Sequence, residues 1–279
     1  MWKERRLLQT SSESQLSLAV KILNKYAGDL IKERRKEGDL ENKKDVLSWF
    51  MLLTDDEGKL YSDDFLRDII MNFMIAGRDT TANCLTWTFH LLSQHPECLQ
   101  KLRDEVKEHG LDTPGAAPTF AQLKSMKYTE AVVKETLRLY PSVPRDLKMC
   151  VRGDVLPDGT KVRAGQHVAY VPFAQGRSEQ LWGKEANFPH DADVFYPDRW
   201  LKEDFKPNAF YYPVFQAGLR TCLGKDMALL EAKTLTVMLV TAFDFTPLPG
   251  QPKFPKVANS IACPMEGGRS FSPRKLRLF

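Results

Sequence analysis

From Ser62 to Gln94 the chain repeats apolar residues at helical spacing, Phe65, Leu66, Ile69, Ile70, Phe73 and Met74 among them, with a serine placed to cap the start and Pro96 to stop the end. At 1.5 Å per residue such a helix runs roughly 50 Å, well beyond the usual three turns. A helix of that length predicts a body wide enough to surround it, with the middle of the helix deep inside. Gly77 and the threonines after it weaken that middle, and the pattern there predicts a local opening of the helix.

The flanking segments are helical too. Ser17 to Lys36 reads as an increasingly charged helix, followed by the charge-rich surface loop EGDLENKKD, a short helix from Val46 to Leu53 and the turn DDEGK. Beyond Pro96, an amphipathic helix runs to His109 and ends at Gly110, LDTPGAAPT is a loop, and Tyr128 to Tyr140 is a helix stopped by Pro141. There the texture changes. VLPDGTKV carries a hairpin turn at Pro157 to Gly159, HVAYVPF alternates like a strand, and an irregular Pro- and aromatic-rich stretch reaches Pro213. Asp226 to Phe243 is a strongly apolar helix, and the tail from Pro247 is rich in Pro and Gly. The sum is a mainly α fold with small β elements, without internal repeat or domain-length linker.

Composition excludes several functions. The 40 basic and 36 acidic residues nearly cancel to +4, without the clustered excess or aromatic interleaving that nucleic acid needs. Five cysteines, at 84, 98, 150, 222 and 263, are scattered without a CxxC pair, which argues against a disulfide framework or structural zinc and for a reducing compartment. The five histidines lack metal-ligand spacing, and no Gly-rich phosphate loop is present for a nucleotide. Arg78 and Asp79 interrupt the longest apolar run, and the polar start MWKERRLLQTSSES has no signal-peptide core.

One cysteine stands out by its setting. FQAGLRTCLG places Cys222 between Gly218 and Gly224, just ahead of a helix. The positive end of a helix dipole and free backbone N–H groups favour an anionic sulfur. The glycines let the backbone pass close to something flat and bulky, and Arg220 offers a charge for a carboxylate. Without context, a buried inert cysteine beside a turn is the simpler account.

FxxGxRxCxG, filled by Phe215, Gly218, Arg220, Cys222 and Gly224, resembles the haem-thiolate loop of the cytochrome P450 family, although Gln216 departs from the small or Asn/His residue commonest there. Three further segments stand in that family's order ahead of the loop. AGRDTT at Ala76 to Thr81 resembles its oxygen-activation motif, Glu135 and Arg138 in ETLR match its ExxR, and FYPDRW at Phe195 to Trp200 resembles its meander. On spacing alone, Glu135 and Arg138 share a helix face and make a surface ion pair of little worth.

The resemblance implies a cytochrome P450 fold lacking its N-terminal portion, with residues 1–279 the C-terminal part of one catalytic domain. It implies Cys222 as ligand to the iron of haem b, with Phe215, Gly218, Arg220 and Gly224 shaping the loop and Arg145 or Lys148 meeting a propionate. Thr80 would stabilise bound oxygen and Asp79 relay protons, while Glu135, Arg138 and Arg199 hold the core beneath the haem. Phe73, Ala76, Val143, Leu147 and Ile261, the last within a wall from Asn259, would line the substrate cavity.

The reaction implied is monooxygenation of an apolar substrate, with electrons from NADPH through a separate cytochrome P450 reductase. IAGRDTTANCLTW and PSVP look similar to long-chain fatty acid omega-hydroxylases. The whole protein would sit on the cytosolic face of the endoplasmic reticulum, anchored by a portion this chain lacks. A haem-thiolate isomerase or lyase typically lacks the Asp-Thr pair that Asp79 and Thr80 retain. A non-enzymatic fragment with weak haem binding is the alternative from another class.

Overall fold

Ser62 and Pro96 bracket the longest helix. In the computed structural model, which describes residues 11–246 and the strand Ser270–Pro273, this helix runs Asp63–Gln94, and the Ser62 hydroxyl accepts the Phe65 N–H at 3.3 Å. We call it α3. Before it come α1 (Ser11–Glu37) and α2 (Val46–Leu52). After it come α4 (Pro96–Glu108), α5 (Phe120–Ser125), α6 (Lys127–Leu139), α7 (Pro172–Gln175), α8 (Glu179–Trp182) and α9 (Lys225–Ala242).

The strands are short and pair in antiparallel twos. β1 (Asp146–Met149) pairs with β4 (His167–Tyr170), with Asp146 opposite Tyr170 and Met149 opposite His167. β2 (Asp154–Val155) and β3 (Lys161–Val162) flank the turn at Gly159, whose φ of +86° demands the glycine. β5 (Phe243–Thr246) pairs with β6 (Ser270–Pro273). The mainly helical reading with small β elements therefore holds. Among the described residues no helix is long and apolar enough to cross a membrane.

Two compact units divide the chain, one ending at Arg78 and one starting at Asp79. The first closes around Ala27, Ile31, Leu47, Met51, Leu66 and Ile70. Asp45 caps α2 by accepting the Ser48 N–H at 3.0 Å, and Arg34 reaches both Asp45 and the Ser48 hydroxyl. The second holds the larger core, built from the 89–111 helical segments, Leu123, Met126, Val132 and Leu139, closed by Val237 and Val240 of α9.

Two expectations for α3 are corrected. Its middle is not deep inside: residues 74–79 are exposed, Ile75 to 64%, and burial is confined to Leu66 and Ile70 on one side and to Thr81 to Leu92 on the other. Helix length shows reach, whereas burial depends on what packs against each turn. The helix also does not open at Gly77 but stays α-helical throughout. One glycine costs only about 1 kcal/mol in a helix interior, too little to break a cooperative ladder of this length. Thr86 and Thr88 each donate to the carbonyl four residues back, at 2.7 and 2.9 Å, without breaking it.

Candidate haem-thiolate site

The cysteine loop is built from two short 3₁₀ turns, Pro213–Phe215 and Gly218–Arg220. The Cys222 N–H donates to the Phe215 carbonyl at 2.8 Å, closing the loop across its base, and the Thr221 hydroxyl donates to the Gly218 carbonyl at 2.8 Å. Gly218 has φ +69°, which a side chain would resist, whereas a Cβ at Gly218 or Gly224 would meet no atom within 4 Å. Phe215 turns inward against the cluster of Cys84, Val133, Leu137 and Ala232. Arg220 and Cys222 are exposed, and Gly224 leads directly into α9.

Side chains flanking the thiol are apolar and uncovered: Leu219 is fully exposed and Leu223 is 83% exposed. Cys84, by contrast, is sealed in the core, where burial pushes its thiol up to about 12 against a small lowering by Thr88. Only one of these two cysteines is therefore placed to meet a ligand.

A buried charge cluster centres on the Glu135 carboxylate. Glu135, Arg138 and Arg199 each have no solvent exposure. The Glu135 carboxylate accepts from Arg138 Nε and Nη2 at 2.8 Å each, from the Tyr196 N–H at 3.0 Å, from the Trp200 indole at 2.9 Å and from Arg199 Nε at 3.4 Å. Arg138 goes on to the carbonyls of Gly176, Ala192 and Val194, and Arg199 to that of Trp182. Burial lowers the Arg199 pKa, Glu135 opposes that shift and Arg138 adds to it. Spacing alone therefore says too little about Glu135 and Arg138: i,i+3 puts them on one face but does not reveal that the face is covered.

α6 itself is buried on nearly every face, from Tyr128 and Thr129 through Leu139. Rings close over the guanidinium groups, Trp182 lying 5.4 Å from Arg138 and Phe188 lying 4.5 Å from Arg199. Trp182, Gly176 and Phe188 carry no motif signal that points to this cluster. Gly176 is needed because a Cβ there would fall 2.1 Å from the Arg138 carbonyl oxygen.

The remaining candidates are spread more widely. Thr80 is half-buried and its carbonyl accepts the Ser142 hydroxyl at 2.8 Å, while Asp79 is exposed. Val143, Arg145, Leu147 and Lys148 are all exposed, and Lys148 lies 3.5 Å from the Asp146 carboxylate. Asp146 also accepts the Gln216 side-chain amide, so β1 is joined to the cysteine loop through a contact that no motif announces. Burial raises the Asp146 pKa, but the Leu147 N–H, Gln216 and Lys148 outweigh it and hold the carboxyl below its usual value. Phe73 and Ala76 belong to the first unit, where the Phe73 ring meets Phe50 edge-on at 6.3 Å. Ile261 and its neighbours from Asn259 lie outside the described residues.

The cytochrome P450 family model matches residues 4–269. The chain belongs to the cytochrome P450 family. Relatives include "Cytochrome P450 94C1" of Arabidopsis thaliana, 40% identical over 88% of this chain and 48% of its own length. "Cytochrome P450 704C1" of Pinus taeda is 40% identical over 88% of this chain and 50% of its own. "Cytochrome P450 86B1" of Arabidopsis thaliana is 36% identical over 92% and 48%. The chain thus spans about half the length of the curated relatives it matches.

Family membership implies haem, and the residues present fit it. Among the described residues no three His, Cys, Asp or Glu side chains gather to hold a bare ion. The uncovered leucines and the open space over Gly218 and Gly224 suit a flat apolar group beside the Cys222 sulfur.

Proposed function

We propose that this cytochrome P450 chain carries the haem-thiolate half of a monooxygenase, with Cys222 as the sulfur ligand. One observation carries the reading: an exposed thiol on a loop closed by its own backbone hydrogen bond, ahead of α9 and flanked by uncovered apolar side chains. When bound, haem b supplies activation of dioxygen, using electrons that come from NADPH through a separate reductase.

The chain's own residues do the rest. The N-terminus of α9 and the Cys222 N–H bond hold the sulfur in place. Phe215 packs the loop onto the core, and Gly218 and Gly224 keep side chains away from the cofactor face. Arg220, with Arg145 or Lys148, would meet the propionates. Thr80 and Asp79, adjacent on α3, would hold and pass a proton, and Val143 and Leu147 would offer apolar surface to the substrate. The substrate class we assign is a long-chain fatty acid, hydroxylated at its end, on the likeness of IAGRDTTANCLTW and PSVP to such hydroxylases.

The test is to supply haem to the full chain, reduce it, add carbon monoxide and record the difference spectrum. A strongly red-shifted Soret band that vanishes in Cys222→Ala is the expected result. A chain that takes up no haem, or a band that survives the substitution, overturns the assignment.

A further inference from the structure

Gln216 sits in a backbone region that side chains avoid. Its φ of 64° and ψ of 178° lie in the extended left-handed region that is essentially glycine's alone. Such a conformation persists only where the surroundings hold it. Here the Gln216 N–H donates to the Pro213 carbonyl at 3.0 Å, and its side-chain amide is taken by the Asp146 carboxylate of β1.

The unusual φ has a direct consequence for the cysteine. Rotation about φ of Gln216 sets the plane of the peptide that joins it to Phe215. That plane carries the Phe215 carbonyl, the group that accepts the Cys222 N–H at 2.8 Å. The backbone of Gln216 therefore aims the anchor of the cysteine.

Asp146 is well placed to hold the other end. Its Oδ1 accepts the Leu147 N–H at 2.7 Å, and β1 is fixed by its ladder with β4. The carboxylate is thus oriented by the strand and leaves Oδ2 to the glutamine and, at 3.5 Å, to Lys148. We propose that Asp146 and Gln216 form a positioning pair in which the strand carboxylate, by binding the glutamine amide, keeps Gln216 in its left-handed backbone and so fixes the Phe215 carbonyl that anchors Cys222. The consequence for haem rests on the function proposed above, whereas the consequence for the loop does not.

Hydrogen exchange at the Cys222 amide, resolved by fragmentation mass spectrometry of the full chain, tests the pair. Gln216→Ala keeps a Cβ in the left-handed backbone but loses the amide, and should speed this exchange about tenfold, within the range that such backbone strain commands. Gln216→Gly also loses the amide, yet glycine adopts the conformation unaided, so its rate should stay near that of the unsubstituted chain. Asp146→Ala should behave like Gln216→Ala, and adding Gln216→Gly to it should restore slow exchange.

Equal rates in Gln216→Ala and the unsubstituted chain overturn the proposal. So do equally fast rates in the alanine and glycine variants, because the amide alone would then matter. If Asp146→Ala unfolds, core amides quicken together and the comparison of the two Gln216 variants decides. With haem supplied, Gln216→Ala should lose part of the thiolate Soret band and Gln216→Gly should keep it. An unsubstituted chain that takes up no haem sinks the proposed function, while the exchange rates still decide the pair.

Discussion

Removing the Glu135 carboxylate should cost far more than removing any exposed charge on this chain. Glu135→Ala leaves five donors without their acceptor: two nitrogens of Arg138, one of Arg199, the Trp200 indole and the Tyr196 N–H. Because both guanidinium groups are wholly buried, water cannot replace the lost partner without opening the site. Breaking a buried pair by deleting one member costs about 3–5 kcal/mol. At about 2–4 °C per kcal/mol for a unit near this size, the melting temperature should fall by roughly 6–20 °C. Urea unfolding followed by tryptophan fluorescence measures the free-energy cost and a thermal melt the temperature shift, since Trp182 and Trp200 both lie at the cluster. Lys101→Ala is the control: its pair with Asp198 is close, at 2.9 Å, but the lysine is exposed, and its loss should cost no more than about 1 kcal/mol. Glu135→Gln keeps one acceptor and turns an NH₂ toward donors, so it should recover only part of the loss. A Glu135→Ala cost no greater than that of Lys101→Ala would refute the claim that the cluster is a buried, coupled unit.

The Glu130 carboxyl is desolvated, which raises its pKa, but Lys134 at 2.6 Å and Lys233 at 3.2 Å outweigh that and hold it below its usual 4.5. A depressed folded value means stability that is present above the unfolded pKa and lost as pH falls through the folded one; Glu130→Gln should therefore flatten the acid limb of a melting-temperature profile taken from about pH 6 to about pH 3. A limb unchanged by the substitution would refute that account. Thr80→Ala, in haem-loaded protein with an electron donor, should leave oxygen consumption running while product per oxygen falls about a hundredfold or more, the lower end of what a positioned proton donor contributes. Full coupling in that variant would remove Thr80 from the proposed proton path.

The ends of elements were legible because they are written in local chemistry. Ser62 and Pro96 delimit α3, Pro141 follows the end of α6, and the turn at Gly159 joins β2 to β3. What periodicity could not supply was the environment of each face. It placed Glu135 and Arg138 together without revealing that their face is covered, and it put the middle of α3 inside when that stretch is exposed. Short elements also escaped: α5 spans six residues, too few for a period, although Thr119 and Gln122 form the reciprocal capping box that marks its start. The Asp146–Gln216 bond joins positions 70 residues apart, and nothing local announces it.

Support for the cysteine loop can be traced from the buried charges outward. Arg138 fixes the carbonyls of Gly176, Ala192 and Val194, so the irregular stretch after α7 is held by side-chain bonds rather than by a sheet. The two short helices hold the next stretch: Gln175, the last residue of α7, donates to the carbonyls of Phe210 and Tyr211 at 2.8 and 3.2 Å, and the Tyr211 hydroxyl donates to that of Leu181 in α8. Tyr212 returns to α6 by donating to the Lys134 carbonyl at 2.8 Å, one residue before Glu135. Pro213 follows at once and begins the loop that carries Cys222. A chain with few strands at this place can therefore present an exposed sulfur in a fixed position, because irregular backbone is made rigid by buried donors whose acceptors are its own carbonyls.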